Sequence, residues 1–165
     1  MIKIPEWIKL KFPFVDYGNK LSWSGTFEII VNGKKPIILH NLITNNALDE
    51  MAEILQGIAA DAQIKYVAVG DDDTAVTGSE TTLGNETFRT AVAAQNKTAV
   101  GKIVTEFTIL NIEAVGTIEE IGIFGGSTAS AAADSGLLIA RVLWSKTKTA
   151  DEEINIRRID QISRS

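Results

Sequence analysis

Any chemistry in this chain must come from a short set of groups. There is one histidine, His40, and no cysteine among 165 residues. A lone histidine serves as a base only where a nucleophile and an orienting carboxylate converge on it. Ser22, Ser24 and Asp49 are at hand, but nothing in their spacing singles them out, so His40 is expected to be structural. Without cysteine there is neither a disulfide framework nor a thiolate nucleophile. Asp71-Asp72-Asp73 is the sharpest acidic cluster. Loop aspartates can hold calcium through oxygen atoms, yet the EF-hand pattern needs glycine at the sixth position and glutamate at the twelfth. Val76 and Thr82 stand there. Turn chemistry, an aspartate bonding its own backbone, is the expected role.

The remaining groups are no more promising. Gly122-Ile-Phe-Gly125-Gly126 lacks the dinucleotide spacing, and no helical pattern follows it. Glu119-Glu120 and Asp151-Glu152-Glu153 are adjacent carboxylates, and neighbours on a strand point to opposite faces. They are not expected to share a proton, and at least one of each set is expected in solvent. The reading is a non-enzymatic protein with no catalytic, cofactor or metal residues.

The elements around these residues are mostly strands. Phe27–Val31, Asn32-Gly33 and Lys34–Leu39 form a hairpin signal, because Asn-Gly tolerates the positive φ of a type I′ turn. Pro36 cannot donate to a ladder and directs its strand to a sheet edge. A helix is predicted over about 46–56, with an apolar stripe of Leu48, Met51, Ala52 and Leu55. Thr44, Asn45 and Asn46 offer N-cap oxygens, Asp49, Glu50 and Glu53 favour the helix dipole, and Gly57 suits the C-terminal stop.

Further strands are expected at Ile64–Val69, Phe88–Val92, Val100–Ile112, Thr117–Phe124, Leu137–Trp144 and Ile154–Ile159. The stretch Gly70–Asn85 reads as a polar loop, the small-residue stretch Gly125–Gly136 as a flexible one, and Lys146–Asp151 as a turn. The fold expected is mainly β: an antiparallel β-sandwich over 25–165 with one helix packed on it. An extended N-terminal arm over 1–24 carries Trp7, Phe12, Phe14, Tyr17 and Trp23, five of eleven aromatic residues. Such residues bury either on their own domain or on a neighbouring subunit, and these five are the candidate interface.

Composition narrows the partners. The net charge is −5, and the basic clusters Lys34-Lys35, Lys146–Lys148 and Arg157-Arg158 are short, so no nucleic-acid partner is expected. No run approaches the roughly 18 apolar residues of a membrane span, and the first residues lack a signal-peptide pattern. A strand-rich domain can also present aromatics to sugars, with Trp23 and Trp144 as the candidate glycan contacts.

Several motifs occur in a familiar order. Asn41-Leu-Ile-Thr-Asn-Asn-Ala-Leu48 introduces the helix, and Ile64-Lys-Tyr-Val-Ala-Val-Gly70 follows. Then come Thr82-Leu-Gly-Asn-Glu-Thr-Phe-Arg89, Ile118-Glu-Glu-Ile-Gly-Ile-Phe124 and Leu137-Leu-Ile-Ala-Arg-Val-Leu143. Over roughly residues 38–160 this order resembles the N-terminal domain of phage tail-collar fibre and related tail fibre proteins. Glu119 stands where that family has arginine. The resemblance implies a virion protein assembled in the host cytoplasm, commonly a homotrimer that contacts other virion proteins. With no shaft or tip after the domain, a tail, baseplate or fibre-attachment component is expected. A capsid decoration or head-fibre base protein, or a module recognising a host surface glycan, are the alternatives. Physically, Asn85, Glu86 and Arg89 form a candidate polar brace in which Glu86 and Arg89 pair across a bend, worth only about 0–1 kcal/mol if exposed.

Overall fold

The computed structural model describes residues 20–58 and 61–164. The elements are β1 Leu21–Val31, β2 Ile37–His40, β3 Leu42–Ile43, α1 Asn45–Gln56, β4 Ile64–Gly70, β5 Glu86–Ala91, β6 Ala94–Ala99, β7 Lys102–Ile109, β8 Gly116–Gly125, β9 Leu137–Lys148 and β10 Ile154–Arg164. They form two five-stranded antiparallel sheets, ordered β2-β1-β10-β7-β6 and β3-β9-β8-β4-β5. Among the described residues this is the expected β-sandwich with one helix.

The core lies between the sheets. Phe27, Ile29, Phe107, Ile109, Ile154 and Ile156 of the first sheet face Val67, Val69, Ile118, Ile121, Ile123, Ile139 and Trp144 of the second. The chain changes sheet at both sides of the sandwich. At Asn41, β2 of the first sheet gives way to β3 of the second, and at Val92-Ala93, β5 of the second gives way to β6 of the first. Such corners bind the two layers together.

Local signals explain the hairpin and the helix. Asn32 and Gly33 take φ of 49° and 67°, as a type I′ turn requires, and β2 beyond Pro36 is an edge strand. Thr44 is the N-cap, its Oγ accepting the Ala47 N–H at 3.2 Å and donating to the Leu138 carbonyl at 2.5 Å. Gly57, at φ 75°, ends the helix, with the N–H groups of Gly57 and Ile58 returning to Ile54 and Glu53.

Several expectations shift. Starting at Asn45, α1 has no acidic residue in its first turn, so Asp49, Glu50 and Glu53 lie beyond the dipole's strongest reach. The helix packs through Ala47, Met51 and Ile54, while Leu48 and Leu55 are 51% and 82% exposed. The expected stripe is rotated because Thr44, tied to β9, sets which face turns inward. The run Val100–Ile112 is not one strand: Val100-Gly101 is a hairpin tip and Ile112 lies in the loop after β7. Strand β6 carries no apolar alternation and is held by pairing with β7. Strand β9 continues through the expected turn to Lys148, and β10 to Arg164, because polar residues there still find cross-strand partners. The arm boundary expected at residue 24 falls inside β1, which begins at Leu21.

Candidate functional site

The outer face of the second sheet is covered by loops in place of helices. A second apolar cluster, Ala68, Leu83, Phe124 and Leu138 with Tyr66, forms beneath the loops 71–85 and 126–136. A buried ion pair clamps each loop.

The first clamp joins Glu120 of β8 to Arg141 of β9. A register shift between Ile118 and Glu120 lets Ile118 and Ile121 both face the core and turns Glu120 outward under the loop. Glu120 is fully buried. It accepts the Arg141 Nε at 2.6 Å and the N–H groups of Gly84 and Asn85 at 3.1 and 2.9 Å. The rest of the Arg141 guanidinium donates to the Thr74 carbonyl at 2.8 Å and the Asp72 carboxylate at 3.1 Å, with Glu80 at 3.8 Å. Hydrogen bonds from Thr74, side chain first and then N–H, hold the Asp72 carboxyl below its ordinary range, and Arg141 adds to this. Burial pushes Glu80 up, but the N–H groups of Thr77 and Gly78 outweigh it and leave Glu80 below its ordinary value. The seat admits no extra carbon: a Cβ on Gly70 would lie 2.4 Å from both the Asn85 carbonyl and the Glu120 carboxylate. One on Gly84 would lie 2.3 Å from Asp72.

The second clamp is Glu86 with Arg89 on β5. Three residues apart on a regular strand they would face opposite ways. The shift in pairing at Val69/Gly70, where Val69 meets Phe88 and Gly70 meets Glu86, brings them to one face. Arg89 grips Glu86 through two bonds of 2.6 Å and lies over the Phe124 ring at 4.5 Å. Its Nη1 donates to the carbonyls of Ser130 and Ser135, and Glu86 accepts the Asp134 N–H at 3.0 Å. The expected pairing is present, but the side chains are 4% and 1% exposed, so this is a buried pair and not a surface brace. The loop read as flexible is thereby anchored along its length, and Lys65 also holds the Gly126 carbonyl.

A third charged group sits between the sheets, where sequence reasoning placed only a short basic cluster. Arg158 is fully buried, paired with Asp160 at 2.7 Å and stacked 4.9 Å over Phe27. It also donates to the Asn41 side chain, fixing the corner where β2 passes into β3. Gly25 makes room: a Cβ there would lie 1.9 Å from the guanidinium. The Trp23 indole donates to Asp160 at 2.9 Å. Beside this group a cleft of about 330 Å³ opens between the sheets, lined chiefly by Trp23, Met51, Ile64, Ile103 and Ile162 with Asp160 at its wall.

The other sequence candidates fall apart in space. His40 meets Thr26 across the edge strand and Ser22 meets Ser163, so the structure does not bring them into one site. Asp72 bonds the Thr74 N–H, the expected turn chemistry, and Asp71 accepts from Asn85. Of the adjacent carboxylates, Glu119 takes the Ser145 hydroxyl while Glu120 is buried. Trp144 lies in the core at 8% exposure, and Trp23 forms the cleft wall. Trp7, Phe12, Phe14 and Tyr17 lie outside the described residues. Comparison with protein-family models, curated proteins and solved structures finds no match.

Proposed function

We propose that this chain is a non-enzymatic structural protein of a bacteriophage particle, a tail, baseplate or fibre-attachment component that works through self-assembly and contacts with other virion proteins. The observation that carries the reading is the apolar surface around α1. Leu48 and Leu55 share one helix face turned to solvent, and Ile58 follows just past the helix at 69% exposure. Apolar side chains concentrated on one element are a feature of surfaces that meet other proteins.

The motif order that resembles tail-collar fibre proteins supports the same reading. Gly70, Gly84, Asn85, Glu86, Arg89, Glu120 and Arg141 from those motifs meet in the two clamps. In this reading they give a stiff surface that assembles with little loss of loop entropy. The glycan alternative loses one of its two platforms, since the Trp144 ring is enclosed by core side chains.

The test is particle composition. Particles of the phage encoding this chain are purified and split into heads and tails, and each fraction is read by mass spectrometry. The chain is expected in the tail fraction at fixed stoichiometry. Its presence only in heads would favour a decoration role, and its absence from particles would overturn the proposal.

A further inference from the structure

The cleft between the sheets has a shape and an address that point to an occupant. Its walls come from both sheets and from α1, and nearly all its lining is apolar. A cavity of about 150 Å³ accommodates one benzene ring, so a volume of 330 Å³ has room for about two aromatic rings. The described chain begins at its rim, because Trp23 of the lining lies three residues after Lys20. The residues before it include Phe12, Phe14 and Tyr17.

We propose that this cleft seats the aromatic stretch Phe12–Tyr17 of the chain's own N-terminal segment. The tether allows it. At no more than ~3.5 Å per residue, Tyr17 can reach about 20 Å from Trp23 and Phe14 about 30 Å, which spans the cleft from either side. The tether also selects the chain's own segment over a neighbour's. A short linker holds its group at roughly millimolar effective concentration, about a thousandfold above an unassociated copy in a micromolar solution; between copies already assembled, the intrachain or interchain nature of a cross-link decides. Docked there, the rings would meet Trp23, Met51 and Ile103 of the lining. Trp23 would belong to the receiving wall and not to the arm. This inference does not rest on the virion reading.

Because the sequence has no cysteine, cross-linking gives a clean test. The full chain carries Gly18→Cys, next to the aromatic stretch, together with Gln63→Cys or Gln95→Cys at the cleft. A control pairs Gly18→Cys with Val115→Cys, beyond the far end of β7, about 25 Å along the strand from the cleft. Disulfide formation at micromolar protein is followed by non-reducing electrophoresis and intact mass. The expected result is an intramolecular link at both cleft positions, forming at least about tenfold faster than in the control, as the tether argument requires. Adding Phe14→Ala and Tyr17→Ala should slow it toward the control rate. Equal rates at cleft and control positions would overturn the proposal. So would links that form only between chains, an outcome that leaves the assembly reading standing. A chain that links internally yet never self-associates would instead count against the assembly reading.

Discussion

Replacing Arg141 by leucine tests the reasoning about the first clamp. The change removes the partner of a carboxylate that is fully buried and leaves Glu120 with only the N–H groups of Gly84 and Asn85. Breaking a buried pair from one side costs about 3–5 kcal/mol, since the remaining charge is neither solvated nor matched. The two N–H donors place Arg141→Leu toward the lower end. The Thr74 carbonyl and Asp72, nearer the surface, recover water in place of the guanidinium. A loss of about 3 kcal/mol corresponds to a fall in Tm of about 10 °C for a chain of this size. Urea unfolding followed by tryptophan fluorescence gives the midpoint and slope for Arg141→Leu, Glu120→Leu and the double variant. The double variant should be less destabilised than Arg141→Leu alone, because it removes the orphaned charge. A single variant within about 1 kcal/mol of the parent, or a double variant equal to the sum of the singles, would refute the account of Glu120 as a buried charge held by Arg141.

Other expectations can be checked in the same way. Gly25→Ala places a methyl where the Arg158 guanidinium lies and should cost about 1–3 kcal/mol or more in urea unfolding. Arg89→Lys loses the two-point grip on Glu86 and the stacking on Phe124, so limited proteolysis should cut faster within 127–135 while the far-UV spectrum is unchanged. Asp72 and Glu80 are both held below their ordinary 3.8 and 4.5. Their contribution to stability is therefore complete above those values and is lost as pH falls through the lower folded ones. Asp72→Asn should flatten that part of the unfolding midpoint against pH below about 4. Leu48→Glu and Leu55→Glu replace exposed residues, so each should leave monomer stability within about 0.5 kcal/mol while weakening self-association in sedimentation.

Much of the fold is legible in the residues. Asn32-Gly33, Thr44 and Gly57 mark their turn and caps, and the β-branched runs of β4, β8 and β9 mark buried strands. The parts that escape depend on pairing with distant chain. Strand β6 has no pattern of its own and exists through β7. The helix face is set by the bond from Thr44 to Leu138 and not by its strongest stripe. Nothing in the sequence marks Glu120 as the buried member of Glu119-Glu120, because its partner lies 21 residues away and only the shift beside Ile118 directs it under the loop. Glu86 and Arg89 read as a pair, yet their burial depends on the 126–136 loop folding over them. Arg158 and Asp160 carried a usable signal: they continue the alternation of Ile154 and Ile156 toward Ile162, which puts two charges on the core face of a strand.

The most direct test of the claim that this protein works by assembling is the mass of the full chain under native conditions. The expected species is a homo-oligomer, three times the 17.8 kDa chain, that dissociates when Leu48 and Leu55 are both replaced by glutamate. A single 17.8 kDa species across the micromolar range, unchanged by those substitutions, would contradict it.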